Sequence, residues 1–160
     1  MKRRAIFTLS AMAAFGLSAL SVGLPASAAE PKVEGTWELN LPASRSTDPM
    51  PKSATRTYEL VGNSEKMTGS VVTADGKTIP VGFTATLDGK DSPSQNPGVD
   101  TVVLTPVDAR TVSFVTKLAG KTVYSGTRVL SADGKTMTLS TQGLNPAGKP
   151  FESVMVFERR

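Results

Sequence analysis

The sequence predicts an all-β protein: a single antiparallel meander barrel preceded by an N-terminal signal peptide. Three observations carry this expectation. Short runs rich in Val, Thr, Phe and Tyr recur along the chain, and these residue types suit a pleated, half-buried surface. Glycine-containing reversals separate the runs at about a strand's length, the spacing at which consecutive strands pair as neighbours. No segment beyond residue 28 repeats its apolar residues at a helical period.

The N-terminus reads as an export signal. Lys2, Arg3 and Arg4 form a positive start, residues 5–24 carry no charge, and Ala26-Ser27-Ala28 supplies the small-x-small pattern that signal peptidase cuts. The apolar run approaches the ~20 residues that span a bilayer. It is rich in Ala, Gly and Ser, however, and Pro25 precedes the cleavage motif, which favours a removed signal over a retained anchor. The expected organisation is therefore a signal at 1–28 and a barrel domain at 29–160, with periplasmic or secreted localisation and no stable membrane insertion. Removing the signal also changes the charge. Three of the 18 basic residues leave and none of the 14 acidic ones does, so 15 remain against 14 and the balance falls from +4 to +1. The remaining basic residues are spread along the chain without a cluster or aromatic interleaving, a pattern that predicts no nucleic-acid partner.

The expected strands are 34–41, 54–61, 66–73, 78–87, 99–105, 111–118, 122–130, 135–142 and 151–158. The first contains the single Trp, Trp37. In the second, Arg56, Tyr58 and Leu60 share a face by two-residue alternation. The third and fourth are joined by Ala74-Asp75-Gly76-Lys77, and the fourth ends at Asp88-Gly89-Lys90. In the sixth, Val112, Phe114, Thr116 and Leu118 oppose Ser113 and Lys117. Ala119-Gly120-Lys121 leads to the seventh, where Tyr124, Arg128 and Leu130 share a face with Gly126. Ala132-Asp133-Gly134-Lys135 nearly copies the 74–77 turn, and Ala147-Gly148-Lys149 precedes the last strand. There Phe151, Ser153, Met155 and Phe157 oppose Glu152, Val154, Val156 and Glu158. Asp-Gly supplies the positive φ that tight hairpins require. The Gly-Lys-Thr triplets at 76–78, 120–122 and 134–136 are not phosphate loops, because positions 71, 115 and 129, where that motif places its first glycine, are all Val. Two proline-bearing loops, 42–53 and 90–98, interrupt the rhythm, and the first is expected to cross one end of the barrel. About nine short strands must stack as a sandwich or close as a barrel. Sequential hairpins favour closure, which removes exposed edges.

The chain has no Cys and no His. Ser-His-Asp and Cys-His catalysis, thiolate redox work and His- or Cys-ligated metal sites are therefore excluded. No cofactor or metal is implied.

Gly35-Thr36-Trp37-Glu38-Leu39 resembles the Gly-x-Trp opening of lipocalins and related calycins. The resemblance implies that Trp37 plugs one barrel end and that Arg159 or Arg160 packs across it. A longer pattern covers Gly35 to Asn40, Ser44 to Pro51, Ser53 to Glu59, Asn96 to Thr101, Asp133 to Thr138 and Phe157 to Arg159. It is similar to a group of secreted bacterial proteins of lipocalin-like character, which implies fold and location. The fatty-acid-binding branch carries Arg-x-Tyr on its last strand to hold a carboxylate. Met155 and Phe157 stand there in this chain, so that clamp is missing.

The candidate ligand-binding residues are Arg56, Tyr58, Phe83, Phe114, Tyr124, Arg128 and Met155. Two arrangements satisfy the pattern at Arg56 and Arg128. Pointing inward, they set cations and phenols among apolar side chains, which suits an anionic or hydrogen-bonding head group. Pointing outward, they pair with acidic neighbours on adjacent strands. Phe83, Phe114, Met137, Met155 and Phe157 fit either a filled core or an adaptable pocket. Asp88 with Asp91, and Asp100 with Asp108, fall at turns and are expected to serve them. The expected function is binding of a small apolar or amphipathic molecule by a monomer. A ligand-free envelope protein that engages partners through its loops is the alternative, and a cofactor-free enzyme ranks third.

Overall fold

A computed structural model describes residues 32–160, and the expected signal at 1–28 lies outside them. Strands β1 (Gly35–Leu39), β2 (Arg45–Ser46), β3 (Ser53–Val61), β4 (Ser64–Val72), β5 (Thr78–Thr86), β6 (Asp91–Pro93), β7 (Thr101–Pro106), β8 (Thr111–Leu118), β9 (Lys121–Leu130), β10 (Thr136–Leu144) and β11 (Pro150–Arg159) form one sheet. Its order is β5-β4-β3-β1-β11-β10-β9-β8-β7-β6, with β2 also on β11. Every pairing is antiparallel. The meander returns to its start by laying β1 against the last strand, with Trp37 opposite Arg159.

Closure is nearly complete. Between β5 and the segment after β6, the ladder shrinks to a single bridge, Phe83 to Ser94. Side chains do much of the remaining work: Gly82 N–H donates to Asn96 Oδ1 at 2.9 Å, and Thr86 N–H to Ser92 Oγ at 3.3 Å. A backbone bond from Gln95 N–H to Gly82 O, 2.8 Å, completes the seam. The two edges that full closure would abolish are thus stitched rather than paired along their length.

Both long loops hold more structure than expected. Leu41–Ala43 forms a 3-10 turn, capped by Asn40 Oδ1 accepting from Ala43 N–H at 3.1 Å. The chain then re-enters the sheet as β2, and Thr47 N–H donates to Glu152 O at 2.9 Å. Asp91–Pro93 pairs with β7. The expected strand at 99–105 starts later, at Thr101.

The turn carboxylates serve their hairpins. In the 131–135 reversal Gly134 has φ +68°, Ser131 Oγ donates to Asp133 Oδ1 at 2.6 Å, and Lys135 N–H donates to the same oxygen at 3.0 Å. These donors hold the Asp133 carboxyl below its ordinary pKa. Asp88, Asp100 and Asp108 are lowered likewise by the donors around them. Asp91 instead pairs with Lys117 at 2.7 Å.

Alternation along the strands sorts side chains as expected, with one break. Val112, Phe114 and Thr116 line an interior cavity, but a register shift between Thr116 and Lys117 turns the end of β8, and Leu118 is exposed. A bulge of this kind offsets the two-residue period. The core runs from Trp37, Met67, Met137 and Phe157, all fully buried, to Ala85, Val102 and Leu104, with Phe83 and Phe114 packed against both groups. The five expected core residues therefore divide. Met137 and Phe157 are buried core, Phe157 also facing a cavity, whereas Phe83, Phe114 and Met155 are half-buried cavity walls.

Candidate functional site

Trp37 and Arg159 close one end of the barrel. The indole Nε1–H donates to Val33 O at 2.8 Å, and the Arg159 guanidinium lies 4.3 Å from the ring centroid. Arg159 is fixed by donating to Gly134 O at 2.8 Å, to Lys32 O at 2.5 Å and to Glu34 O. Gly35 makes room for this arrangement: its φ is +115°, and a Cβ there would meet Arg159 Nη1 at 2.8 Å. Arg159 is thus the residue on the Trp. Arg160 pairs outside with Glu38 at 2.9 Å.

Inside, the barrel is braced by an ion pair that the sequence reading missed. Glu65 of β4 and Arg128 of β9 meet across the interior in two parallel bonds of 2.5 and 2.6 Å. Their side chains are 1% and 8% exposed. The guanidinium also lies over the Tyr58 ring, 4.9 Å from its centroid. Burial alone would lower the Arg128 pKa, but hydrogen bonds and charge from Glu65 and Tyr58 outweigh it and the net shift is upward. Arg128 therefore combines the two expected arrangements. It points inward, as the head-group reading requires, and it has an acidic partner, as the alternative requires, though from the opposite wall rather than an adjacent strand.

Arg56 differs. It too points inward, and its guanidinium lies over the Phe157 ring at 5.3 Å. Its Nε is buried and has no hydrogen-bond partner among the described residues. A buried donor left unsatisfied costs about 1–3 kcal/mol, and more where the group is charged. Glu65 already serves Arg128, so Arg56 is the interior cation whose charge the barrel leaves available.

Six of the seven candidate residues come together. Arg56, Tyr58, Phe83, Phe114, Tyr124 and Arg128 line one chamber of about 180 Å³ whose other walls include Val102, Leu104, Val112 and Leu139. Met155 does not join them. It lines a second chamber of about 290 Å³ with Leu39, Ala54, Val71, Phe151 and Phe157, bounded by Pro49, Pro51 and Asp48 from the 42–53 loop. Arg56 lines both. Beside it, Tyr124 of the first chamber meets Phe151 of the second edge-on, with centroids 5.4 Å apart. Burial raises the Tyr124 pKa, and the negative charge of Asp48 adds to the shift, so the phenol stays protonated at neutral pH and available as a donor. A larger concavity, about 650 Å³, lies elsewhere, across β2, β9, β10 and β11. It is lined by polar residues such as Arg45, Thr127, Ser140 and Gln142 and shares only Thr141 with the first chamber.

The meander, the Trp-Arg end plug and the interior chambers fix the architecture. The fold is a nearly closed antiparallel meander barrel. Among solved structures, the chain is similar to the zebrafish ileal bile acid-binding protein complexed with cholic acid, at 12% identity and a TM-score of 0.48, covering 79% of this chain and 98% of that one. It is also similar to the siderocalin Ex-FABP, described as functioning through dual ligand specificities, at 12% identity and a TM-score of 0.38, covering 80% of this chain and 70% of that one. No family model and no curated protein matches the sequence. At such identities the likeness concerns the fold alone and says nothing about cargo.

Proposed function

We propose that this barrel is a binding protein that holds a small apolar or amphipathic molecule in its interior. One observation carries the reading. An apolar chamber walled by Phe83, Phe114, Val102 and Leu104 also receives Tyr58, Tyr124 and Arg56, whose Nε has no hydrogen-bond partner among the described residues, and a few polar groups converging in an apolar cavity fix a ligand's orientation. The loops support it too, since Pro49 and Pro51 bound one chamber while Asn96 and Pro97 bound the other. The basic start, uncharged run and Ala26-Ser27-Ala28 support export, and hence exchange of cargo in the periplasm or outside the cell. Native mass spectrometry of protein purified from its source should show a species heavier than the mature chain by one small molecule, which is lost on denaturation. A chain mass with no adduct, together with no thermal shift across a panel of amphiphiles, would overturn the proposal.

A further inference from the structure

Arg56 is the one residue common to the walls of the two chambers. Both sides are apolar: Phe83, Phe114 and Leu104 on one, Val71, Met155 and Phe157 on the other. The other charges facing these spaces are accounted for. Arg128 is neutralised by Glu65, and Asp48 lies at the loop side of the second chamber, where Asn145 Nδ2 donates to it at 3.1 Å. Asp48 repels an acid placed at that far end, and Arg56 attracts one placed between the chambers. At about 30 Å³ per heavy atom, a water's share of liquid volume, the chambers hold roughly six and roughly ten atoms.

Resting on the binding-protein reading above, we infer that the cargo is an organic acid whose anionic group sits between two apolar arms, paired with Arg56, one arm in each chamber. A terminal acid on a single chain leaves one chamber empty. A medial acid fills both and gives the buried Nε–H an acceptor.

Isomers isolate the geometry. 2-Butyloctanoic acid carries four- and six-carbon arms on its acid-bearing carbon, dodecanoic acid has the same formula with a terminal acid, and 2-butyloctan-1-ol keeps the branched skeleton without charge. Isothermal titration at pH 8 should show the branched acid binding at least about tenfold tighter than either. Arg56→Met should abolish the preference of acid over alcohol, and Arg56→Lys should retain part of it. Should both variants fail to fold, the wild-type comparison still decides. Equal affinity for the two acids, or an acid affinity unchanged in folded Arg56→Met, would overturn the inference; continued binding of the alcohol would then leave the binding-protein reading standing. Failure of all three compounds to bind would overturn the inference, and the native mass measurement would then decide the binding-protein reading separately.

Discussion

Replacing Glu65 with leucine should lower folding stability by about 3–5 kcal/mol, read as a fall in melting temperature on the order of 10–20 °C for a domain of this size. The cause is not the loss of an attraction in itself. Glu65 and Arg128 are almost wholly buried, so removing the carboxylate leaves a guanidinium in the barrel without an anion or solvent. Tyr58, which also interacts with the guanidinium, supplies no compensating negative charge while its phenol is protonated. The pair also ties β4 to β9, strands on opposite walls, so its loss loosens closure as well as charge balance. The control separates these effects. Glu65→Leu with Arg128→Met, which replaces the pair by apolar groups, should recover most of the stability, because a buried pair exchanged for packed side chains is often neutral or better. Equilibrium urea unfolding of the single and double variants measures both. A single variant within about 1 kcal/mol of the parent would show that the pair is not buried as described.

Trp37→Ala should cost a comparable 3–5 kcal/mol. The indole is fully buried, and it is the largest side chain in the core. Truncation empties the end of the barrel, strands the Val33 carbonyl that accepts Nε1–H, and removes the ring beneath Arg159. Arg159→Met should cost less, since methionine refills part of the space and the stacking itself is worth about 0.5–2 kcal/mol. The two residues touch, so the double variant should lose less than the sum of the singles. Strict additivity in chemical unfolding would show that Arg159 does not pack on the indole.

Much of this architecture is legible in the sequence because its signals are local. Asp-Gly and Ala-Gly reversals mark the hairpins, and the two-residue period in 151–158 correctly places Phe157 and Met155 together inside. Trp37 and Arg159 lie 122 residues apart, yet their places on the first and last strands suffice once the meander is assumed to close. What could not be read depends on opposite walls. The expected third strand starts at Lys66, one residue after Glu65, so the pattern assigns that carboxylate no face. The observed strand starts at Ser64, and two-residue alternation puts Glu65 on the same side as the buried Met67. Arg128 stayed ambiguous because Val129, which also looks like core, is exposed. Residue type alone cannot decide such a face when apolar and charged side chains alternate on both sides. The second chamber is illegible for a different reason: the 42–53 loop that bounds it folds back as β2, through pairing between segments more than 100 residues apart.

The claim that the interior holds cargo is tested most directly by amide chemical shifts during titration with 2-butyloctanoate. Saturable shifts should centre on Arg56, Tyr58, Phe83, Phe114 and Met155, whose side chains line the two chambers. Shifts confined to Arg45, Thr127 and Gln142 on the polar concavity, or no saturable shifts at all, would contradict it.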